Sequence, residues 1–260
     1  MPRLARPLST ILPLVLLLAL AGGCRSIVWD ASPRPDILRI GTLADSPPLA
    51  FRQDRRWRGV EPRLGRALAK RLGRRPLFIP LEPAQLIPAL LENKVDILMA
   101  GLPVTEALRV QIDFASPYLV VGQAALVRKA DLLRFNTDIK IRSTPARVAV
   151  VADSSGDRLV ARYFPHARRL VFSRRDQAVE ALRRNQADLL IHDAPALWWM
   201  ARSNPAELQI APPLFAREEI AWGFRRTSVA LRESANLALA EWQQDGTLEA
   251  ILRQWLPVSP

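Results

Sequence analysis

The sequence predicts an α/β protein built from two similar lobes. Short apolar segments typical of buried strands alternate with amphipathic segments typical of helices. One pattern occurs twice, because residues 90–98 and 182–190 share Leu, Asn and Asp at the same spacing before an apolar strand. Each copy is a helix end, a tight turn and a strand, so the chain contains two α/β units. With 260 residues, 49% of them hydrophobic, it can bury one large core or two modest ones.

Residues 1–23 are predicted to be a signal peptide. Arg3 and Arg6 precede an apolar segment from about residue 11 to residue 21, which is too short to cross a bilayer and has the length of a signal-peptide core. Cys24 follows directly and is the only cysteine, which excludes an intramolecular disulfide. Residues 24–36 mix Pro, Ser and Asp and are predicted to form a tether.

The first lobe is predicted to contain residues 37–125 and 221–260. In the amphipathic helix expected at 61–73, Leu64, Leu68 and Leu72 share one face, and Gly73 is a stop signal. The other elements expected in order are strands at 37–43 and 77–81, a helix at 83–92, and strands at 96–100 and 120–127.

The second lobe is predicted over residues 126–220. Its expected elements are a strand at 147–151, a helix opening after Ser154 and Ser155, a loop and helix at 172–185, a strand at 187–191 and a helix at 193–203. A strand at 220–225 is expected to return to the first lobe, followed by two helices divided at Asp245-Gly-Thr. Because the chain then crosses between lobes near 121–128 and near 219–226, these two segments are expected to form a hinge.

The basic charge predicts a solvated arginine-rich surface. Lys and Arg exceed Asp and Glu by 37 to 25, but the arginines occur as scattered pairs and not as one stripe with aromatic residues between them. Nucleic acid is therefore not an expected partner. His166 and His192 lack partners at metal-ligand spacing, and motifs for phosphate binding, metalloproteases or nucleophilic serines do not occur. We expect no metal, no cofactor and no enzymatic activity.

Several short segments occur in a characteristic order along residues 37–256. They are Leu38-Arg-Ile-Gly-Thr with Pro47-Pro48, Gly59-Val-Glu, Val95-Asp with Ala100-Gly101, Asp113-Phe-Ala-Ser-Pro-Tyr, and Asp245-Gly-Thr. Together they resemble family 3 of the bacterial extracellular solute-binding proteins, the periplasmic amino-acid receptors of ABC importers. The resemblance implies a type II periplasmic-binding-protein fold, in which two doubly wound lobes joined by a two-strand hinge close over a small polar solute.

The resemblance also implies a partner and a location. An ABC permease would receive the solute, and the protein would be a periplasmic monomer. Cys24 follows two glycines after the apolar segment, which resembles a bacterial lipoprotein signal. That resemblance implies acylation of Cys24 and anchoring to a membrane of the cell envelope.

In the first lobe, the resemblance assigns ligand contacts to Ser46, Thr105 and Arg109. The family places an arginine three residues after a threonine to bind the ligand's α-carboxylate. Counting from Thr105, that position is Leu108, and Arg109 comes one residue later. One residue turns a helical side chain by about 100°, so the direction of Arg109 is open. Ser46 occupies the position of an aromatic residue that usually covers the ligand.

In the second lobe, the resemblance assigns ligand contacts to Ser154, Ser155 and Asp193. The two serines match a turn that opens a helix, where backbone N–H groups can bind an anion. Asp193 matches the acid that receives the ligand's ammonium group. A purely structural interpretation, in which all three residues only cap helices, remains open.

Two other functions remain open. A sensory or structural lipoprotein with a degenerate cleft would have the same sequence pattern. The fold also resembles the accessory domain of a lytic transglycosylase and the cyclohexadienyl dehydratases. The displaced Arg109 weighs against the dehydratase, because that enzyme requires the arginine that binds the carboxylate.

Overall fold

A computed structural model describes residues 36–256 of the chain. The predicted signal peptide, Cys24 and residues 24–35 of the tether lie outside these residues. The strands are β1 (Ile37–Thr42), β2 (Asp45–Ser46), β3 (Ala50–Gln53), β4 (Arg56–Arg58), β5 (Arg75–Pro80), β6 (Ile97–Pro103), β7 (Asp113–Phe114), β8 (Leu119–Arg128), β9 (Arg147–Val151), β10 (Arg168–Phe172), β11 (Leu189–Asp193) and β12 (Leu208–Phe224). The helices are α1 (Val60–Arg71), α2 (Leu86–Leu91), α3 (Glu106–Arg109), α4 (Asp138–Ser143), α5 (Ser155–Tyr163), α6 (Arg175–Arg183), α7 (Ala194–Ser203), α8 (Val229–Gln244) and α9 (Thr247–Arg253), with 3-10 helices at Pro83–Gln85 and Lys129–Phe135.

One mixed sheet runs through both halves of the protein. Its strand order is β10-β9-β11-β8-β12-β6-β1-β5, with β7 paired to β12. Strands β9, β10 and β11 are parallel at one end, and β1, β5 and β6 are parallel at the other. Between them, β8 and β12 run antiparallel to their neighbours and connect the two ends. The predicted α/β class, with two doubly wound lobes joined by two strands, is confirmed.

Helices cover both faces of each lobe, which produces four apolar clusters. On one face of the first lobe, Leu64 and Leu68 of α1 are fully buried with Trp222 of β12, as the spacing of the leucines predicts. In the second lobe, Val150 belongs to the cluster beneath α5, whereas Leu190 belongs to the cluster beneath α6 and α7. No helix formed by residues 36–256 has the length and apolar composition needed to cross a membrane.

The repeated Asn and Asp residues hydrogen-bond to an equivalent arginine in each lobe. In the first lobe, Arg39 of β1 donates to both carboxylate oxygens of Asp96, at 2.7 and 3.2 Å, and to the side chain of Asn93. The backbone of Asn93 is left-handed, with φ of 60°, a conformation that Asn tolerates better than most residues. The second lobe repeats this arrangement with Arg147, Asp188 and Asn185. Each repeat therefore specifies a helix end, a turn and the start of a strand.

Glu61 of α1 is a buried carboxyl group at the centre of the first lobe. Its Oε1 accepts hydrogen bonds from the Gly101 N–H at 2.8 Å and from the Tyr118 hydroxyl at 2.7 Å. Its Oε2 accepts from the Trp222 indole N–H at 3.0 Å. These bonds join α1 to the end of β6, to the segment before β8 and to β12. Glu61 therefore has a structural role in the first lobe.

The two connecting strands approach each other closely at Gly122. A Cβ at that position would lie 2.7 Å from the carbonyl oxygen of Ala216, so any larger residue would push β8 and β12 apart. The register of β12 against β8 shifts on both sides of Phe215. Pro212 lies in the first irregular part and cannot donate a ladder hydrogen bond. The residues at which one lobe ends and the other begins stay a prediction.

Most predicted elements are present, but some strands differ from the prediction. Strand β10 was not predicted, because it lies at the edge of the sheet and begins with Arg168 and Arg169, both exposed. Strand β12 begins at Leu208, twelve residues before the predicted 220. Its first half was not predicted, because two prolines interrupt the apolar pattern of a strand. The segment that joins β6 to β8 contains the short α3 and β7.

Candidate functional site

The carboxyl ends of three parallel strands form one wall of the candidate site. Helix α5 follows β9, α6 follows β10 and α7 follows β11, so the amino termini of all three helices lie at the same edge of the sheet. The carboxyl ends of β1, β5 and β6 form the matching edge of the first lobe. Open α/β sheets bind ligands at such edges.

Asp193 ends β11 and occupies the N-cap position of α7, yet its carboxylate makes no capping hydrogen bond. Its Oδ1 instead accepts a hydrogen bond from Gln123 Nε2 at 2.5 Å, and 44% of the side chain is exposed. Gln123 itself is buried, and its Oε1 is among the few buried side-chain atoms of the described chain that have no hydrogen-bond partner. The half-exposed carboxylate of Asp193 can therefore accept further hydrogen bonds, whereas Gln123 Oε1 of the neighbouring β8 is enclosed by the protein.

His192 precedes Asp193 and is neutral at pH 7. Its Nδ1 accepts a hydrogen bond from the Asp193 N–H at 2.7 Å, so that nitrogen carries no proton. Burial lowers the pKa of His192, and the positive charge of Arg175 lowers it further, whereas the negative charge of Asp193 raises it. The 3.5 Å approach of its Nδ1 to Asp193 Oδ2 is consequently not an ion pair.

Ser154 and Ser155 lie beside Asp193, at the start of α5. The Ser154 hydroxyl accepts from the Asp157 N–H at 3.1 Å and donates to the Val151 carbonyl at 2.7 Å. It therefore serves as the helix cap that the structural interpretation describes. The next residue, Gly156, lies so close to β11 that a Cβ there would be 2.6 Å from the Ile191 carbonyl oxygen. This close approach brings the first turn of α5 against the end of β11.

Ser155 links the site to the connecting strand β12. Its hydroxyl accepts from Arg158 at 3.1 Å and also hydrogen-bonds to Glu218. Burial raises the pKa of Glu218, and the nearby charge of Asp193 raises it further. Two carboxyl groups thus lie near the amino terminus of α5.

Arg175 reaches from the second lobe to the first. It is the first residue of α6, and its Nη2 donates to the backbone carbonyl of Asp45 at 3.1 Å. Asp45 lies in β2, directly before the predicted site residue Ser46. Burial lowers the pKa of Arg175, while the charges of Asp45 and Asp193 raise it. The two carboxyl edges therefore face each other across a cleft, and Ser46 lies on its first-lobe side.

Thr105 and Arg109 lie on the short helix α3, after β6. The Thr105 hydroxyl accepts from the Leu108 N–H at 3.3 Å, which makes Thr105 the N-cap residue. The Arg109 side chain is 52% exposed, and its Nε lies 4.0 Å from Glu106 on the same helix. The structure thus groups Ser154, Ser155 and Asp193 together, whereas Arg109 has its ion-pair contact on its own helix.

Aromatic residues join the lobes beside the cleft. Trp199 of α7 contacts Phe51 of β3 and Trp255, with ring centroids 5.2 and 6.5 Å apart. Its neighbour Trp198 packs instead against the apolar clusters of both lobes. Of this adjacent pair, Trp199 makes the aromatic contacts with the first lobe.

A separate cavity of about 350 Å³ lies between β8 and α9. Its lining is mostly apolar and includes Leu119, Trp198, Leu252 and Leu256, but none of the predicted site residues. Residues 36–256 contain no group of three or more His, Cys, Asp and Glu side chains that could hold a metal ion. The polar groups at the sheet edges therefore define the candidate site.

Two residues of the site were not singled out from the sequence. Gln123 lies inside the apolar segment of β8, where a buried amide carries no recognisable pattern. Arg175 belongs to one of the arginine pairs that the sequence assigned to the surface. The available signal for Gln123 was a polar residue within an otherwise apolar strand. The position of Arg175 at the carboxyl edge follows from β10, which precedes α6 and was not predicted.

A cleft between two doubly wound lobes, with polar groups on both carboxyl edges, defines a two-lobed solute-binding protein. The chain belongs to the bacterial extracellular solute-binding proteins, family 3, whose family model matches residues 38–258. This finding confirms the family that the sequence resembles.

Known proteins similar to this chain are amino-acid-binding proteins. The glutamine-binding protein GlnH of an ABC transporter of Bacillus subtilis (strain 168) is 26% identical over 174 residues, a match covering 67% of this chain and 62% of GlnH. The arginine-binding extracellular protein ArtP of the same organism is 26% identical over 220 residues, covering 84% of this chain and 85% of ArtP. The crystal structure of the ancestral amino acid-binding protein AncCDT-1, a precursor of cyclohexadienyl dehydratase, is 26% identical with a TM-score of 0.75, covering 85% of this chain and 95% of that one.

Proposed function

We propose that this protein captures an amino acid between its lobes and delivers it to an ABC importer. The lobes would be residues 37–125 with 221–260, and residues 126–220, and the protein would act as a monomer. The main support is Asp193, a half-exposed carboxylate at a sheet edge that makes no capping bond and is fixed by buried Gln123. An acceptor held in this way suits the ammonium group of an amino acid.

Binding would combine an ionic contact with closure of the lobes. A hydrogen bond to a charged group contributes about 1.5 to 3 kcal/mol, which Asp193 would supply to the ligand's ammonium. The Arg175 contact with the Asp45 carbonyl would hold the lobes together over the ligand. The amino terminus of α5 would add backbone N–H groups beside the same ligand.

Thermal unfolding of the purified protein with a panel of amino acids tests the proposal. At a free concentration about a thousand times Kd, a ligand adds about 4 kcal/mol of stability. At about 2 to 4 °C per kcal/mol for a domain of this size, Tm should rise by roughly ten degrees. The panel should include arginine, lysine, glutamine, histidine and cystine, with polyamines, opines and organic acids as comparison ligands.

A matched pair of variants separates the site from the surface. Asp193→Asn removes the charge that would bind the ammonium, and we expect it to weaken binding roughly tenfold to a hundredfold. Asp138→Asn removes a surface charge that pairs with Arg142 on α4, so it should leave binding unchanged. If no compound in the panel shifts Tm, the proposal fails, and a sensory or structural protein with a degenerate cleft becomes the better hypothesis.

We propose further that the mature protein is anchored in the cell envelope by a lipid on Cys24. The position of Cys24 after the predicted signal peptide supports this proposal. Labelled palmitate should be incorporated into the protein expressed in a bacterial host, and Cys24→Ala should abolish both incorporation and membrane association. Membrane association that survives Cys24→Ala would contradict the anchor.

We also propose that binding occurs without turnover. The similarity to AncCDT-1 makes dehydration the specific alternative to test, because AncCDT-1 is a precursor of a dehydratase. Incubation of the purified protein with prephenate or arogenate should yield no product above a blank. Sustained turnover that Asp193→Asn abolishes would establish the enzymatic alternative.

A further inference from the structure

Arg175 extends from the second lobe towards the first. Its side chain is 20% exposed, and it contacts the Asp45 carbonyl at 3.1 Å and an Asp45 carboxylate oxygen at 4.0 Å. The preceding residue, Arg174, is 65% exposed and pairs with Asp176 of its own helix at 3.0 Å. The two adjacent arginines thus have different environments, and of the two only Arg175 hydrogen-bonds to Asp45.

We propose that Arg175 binds the carboxylate of the amino acid, the role that the family resemblance gives to Arg109. This inference rests on the proposed function. Arg109 extends from α3 with its side chain 52% exposed and Glu106 beside it. The position of Arg175 at the start of α6 places a guanidinium at the same sheet edge as Asp193.

The present contacts of Arg175 leave room for a carboxylate. A guanidinium has five N–H donors, and the hydrogen bond to Asp45 uses one of them. The 4.0 Å approach to the Asp45 carboxylate is too long for a hydrogen bond. Arg175 can therefore keep its contact with the first lobe and also donate two parallel hydrogen bonds to a ligand carboxylate.

The negative charge that would bind the ligand's ammonium group comes from Asp193, and Gln123 holds that carboxylate in place. Gln123 Nε2 donates to Asp193, and the reverse orientation of the amide would place two acceptors 2.5 Å apart. Its Oε1 is therefore an acceptor, buried and without a hydrogen-bond partner in residues 36–256. This atom lies 3.3 Å from the position that a Cβ on Gly156 would occupy, so it faces the first turn of α5.

The carboxylate of Asp193 and the guanidinium of Arg175 match the two charged ends of a zwitterion. An amine without a carboxylate would satisfy Asp193 and leave Arg175 without its ligand partner. An organic acid without an amine would satisfy Arg175 and leave Asp193 without an ammonium partner. The site should therefore select α-amino acids with both groups intact.

Calorimetric titration of the wild-type protein with matched compounds tests the selection. L-Arginine is compared with agmatine, and L-lysine with cadaverine, because each pair differs by the carboxylate alone. We expect the amino acid of a binding pair to bind roughly tenfold to a hundredfold more tightly than its amine. Equal affinity for both members would overturn the inference while leaving amine capture intact. If the whole amino-acid panel fails to bind, the proposed function fails with it.

Variants of Arg175 then assign the discrimination to that side chain. In Arg175→Ala, the preference for the amino acid over the amine should fall to within about threefold. Arg175→Lys keeps the charge without the bidentate geometry and should retain part of the preference. Arg174→Ala is the matched control and should bind like the wild type. Circular dichroism verifies that each variant is folded.

Two results would assign a different role to Arg175. If Arg175→Ala weakens the amino acid and the amine equally, the residue only holds the lobes together, and the inference is overturned. If Arg109→Ala removes the preference and Arg175→Ala does not, then the carboxylate binds at α3. Since the comparison within the wild type requires no variant, the selection for a carboxylate stays testable even if Arg175→Ala does not fold.

Discussion

The buried Glu61 should make the protein less stable as the pH rises through the neutral range. Burial raises the pKa of Glu61 from 4.5 to about 7, although hydrogen bonds from Tyr118, Gly101 and Trp222 oppose the increase. The folded state therefore holds a proton that the unfolded chain releases above its ordinary pKa. Stability from this group is complete below about pH 4.5 and is lost as the pH rises to about 7.

The size of the effect follows from the shift in pKa. Each pKa unit corresponds to about 1.4 kcal/mol. Between about pH 5 and about pH 8, the protein should lose about 2 to 3 kcal/mol of unfolding free energy through Glu61. Paired carboxylates such as Asp188 have lowered pKa values and act in the opposite direction, so the total pH profile mixes both effects.

Glu61→Gln isolates the contribution, because the amide has the shape of the protonated acid and does not titrate. The variant leaves the Trp222 indole N–H without its acceptor, which should cost about 1 to 3 kcal/mol at every pH. Urea unfolding followed by tryptophan fluorescence measures both proteins at several pH values. The stability difference between wild type and variant should shrink or reverse by about 2 to 3 kcal/mol between about pH 5 and about pH 8.

Glu106→Gln is the matched surface control, since the Glu106 side chain is 96% exposed. Its unfolding profile should run parallel to that of the wild type. Parallel profiles for wild type and Glu61→Gln over the same range would refute the raised pKa of Glu61.

Four further alanine substitutions test the local geometry by urea unfolding. Asn93→Ala and Asn185→Ala should each cost about 1 to 2 kcal/mol, because both positions are left-handed, and replacement by Gly should cost less. Asp96→Ala leaves the nearly buried Arg39 guanidinium without its carboxylate, so it should cost about 3 to 5 kcal/mol of unfolding free energy. A loss below about 1 kcal/mol would mean that solvent replaces the pair. Gly156→Ala places a Cβ 2.6 Å from the Ile191 carbonyl oxygen. The substitution should cost about 1 to 3 kcal/mol of unfolding free energy and weaken ligand binding. Unchanged stability and binding would contradict the close contact.

The sequence was sufficient for the parts of the fold that depend on local patterns. The Asn and Asp of each repeat predicted the turn before β6 and the turn before β11, because both residues act within a short segment. The leucine spacing of α1 predicted its buried face for the same reason. Strand β10 and the first half of β12 escaped prediction, because an edge position and a proline-bearing irregularity remove the apolar pattern.

The candidate site was predictable on one wall only. Asp193, Ser154 and Ser155 follow strands within the same lobe, so their proximity could be expected from the order of the elements. The contact of Arg175 with Asp45 joins residues 130 positions apart and depends on how one lobe faces the other. Gln123 acquires its role from an antiparallel neighbour, β11, that lies far along the chain. No local pattern encodes either relationship.

The ion pairs Arg39–Asp96 and Arg147–Asp188 lie at the strand ends away from the cleft. Each pair joins neighbouring strands of its own lobe and uses no group at the opposite edge, where the ligand would bind. These two pairs therefore stabilise the sheet without belonging to the candidate site. Substitutions in the loops at the carboxyl ends can therefore alter the chemistry of the candidate site while the framework that carries them stays the same. A protein arranged in this way can acquire a new ligand through a handful of substitutions without first having to be stabilised.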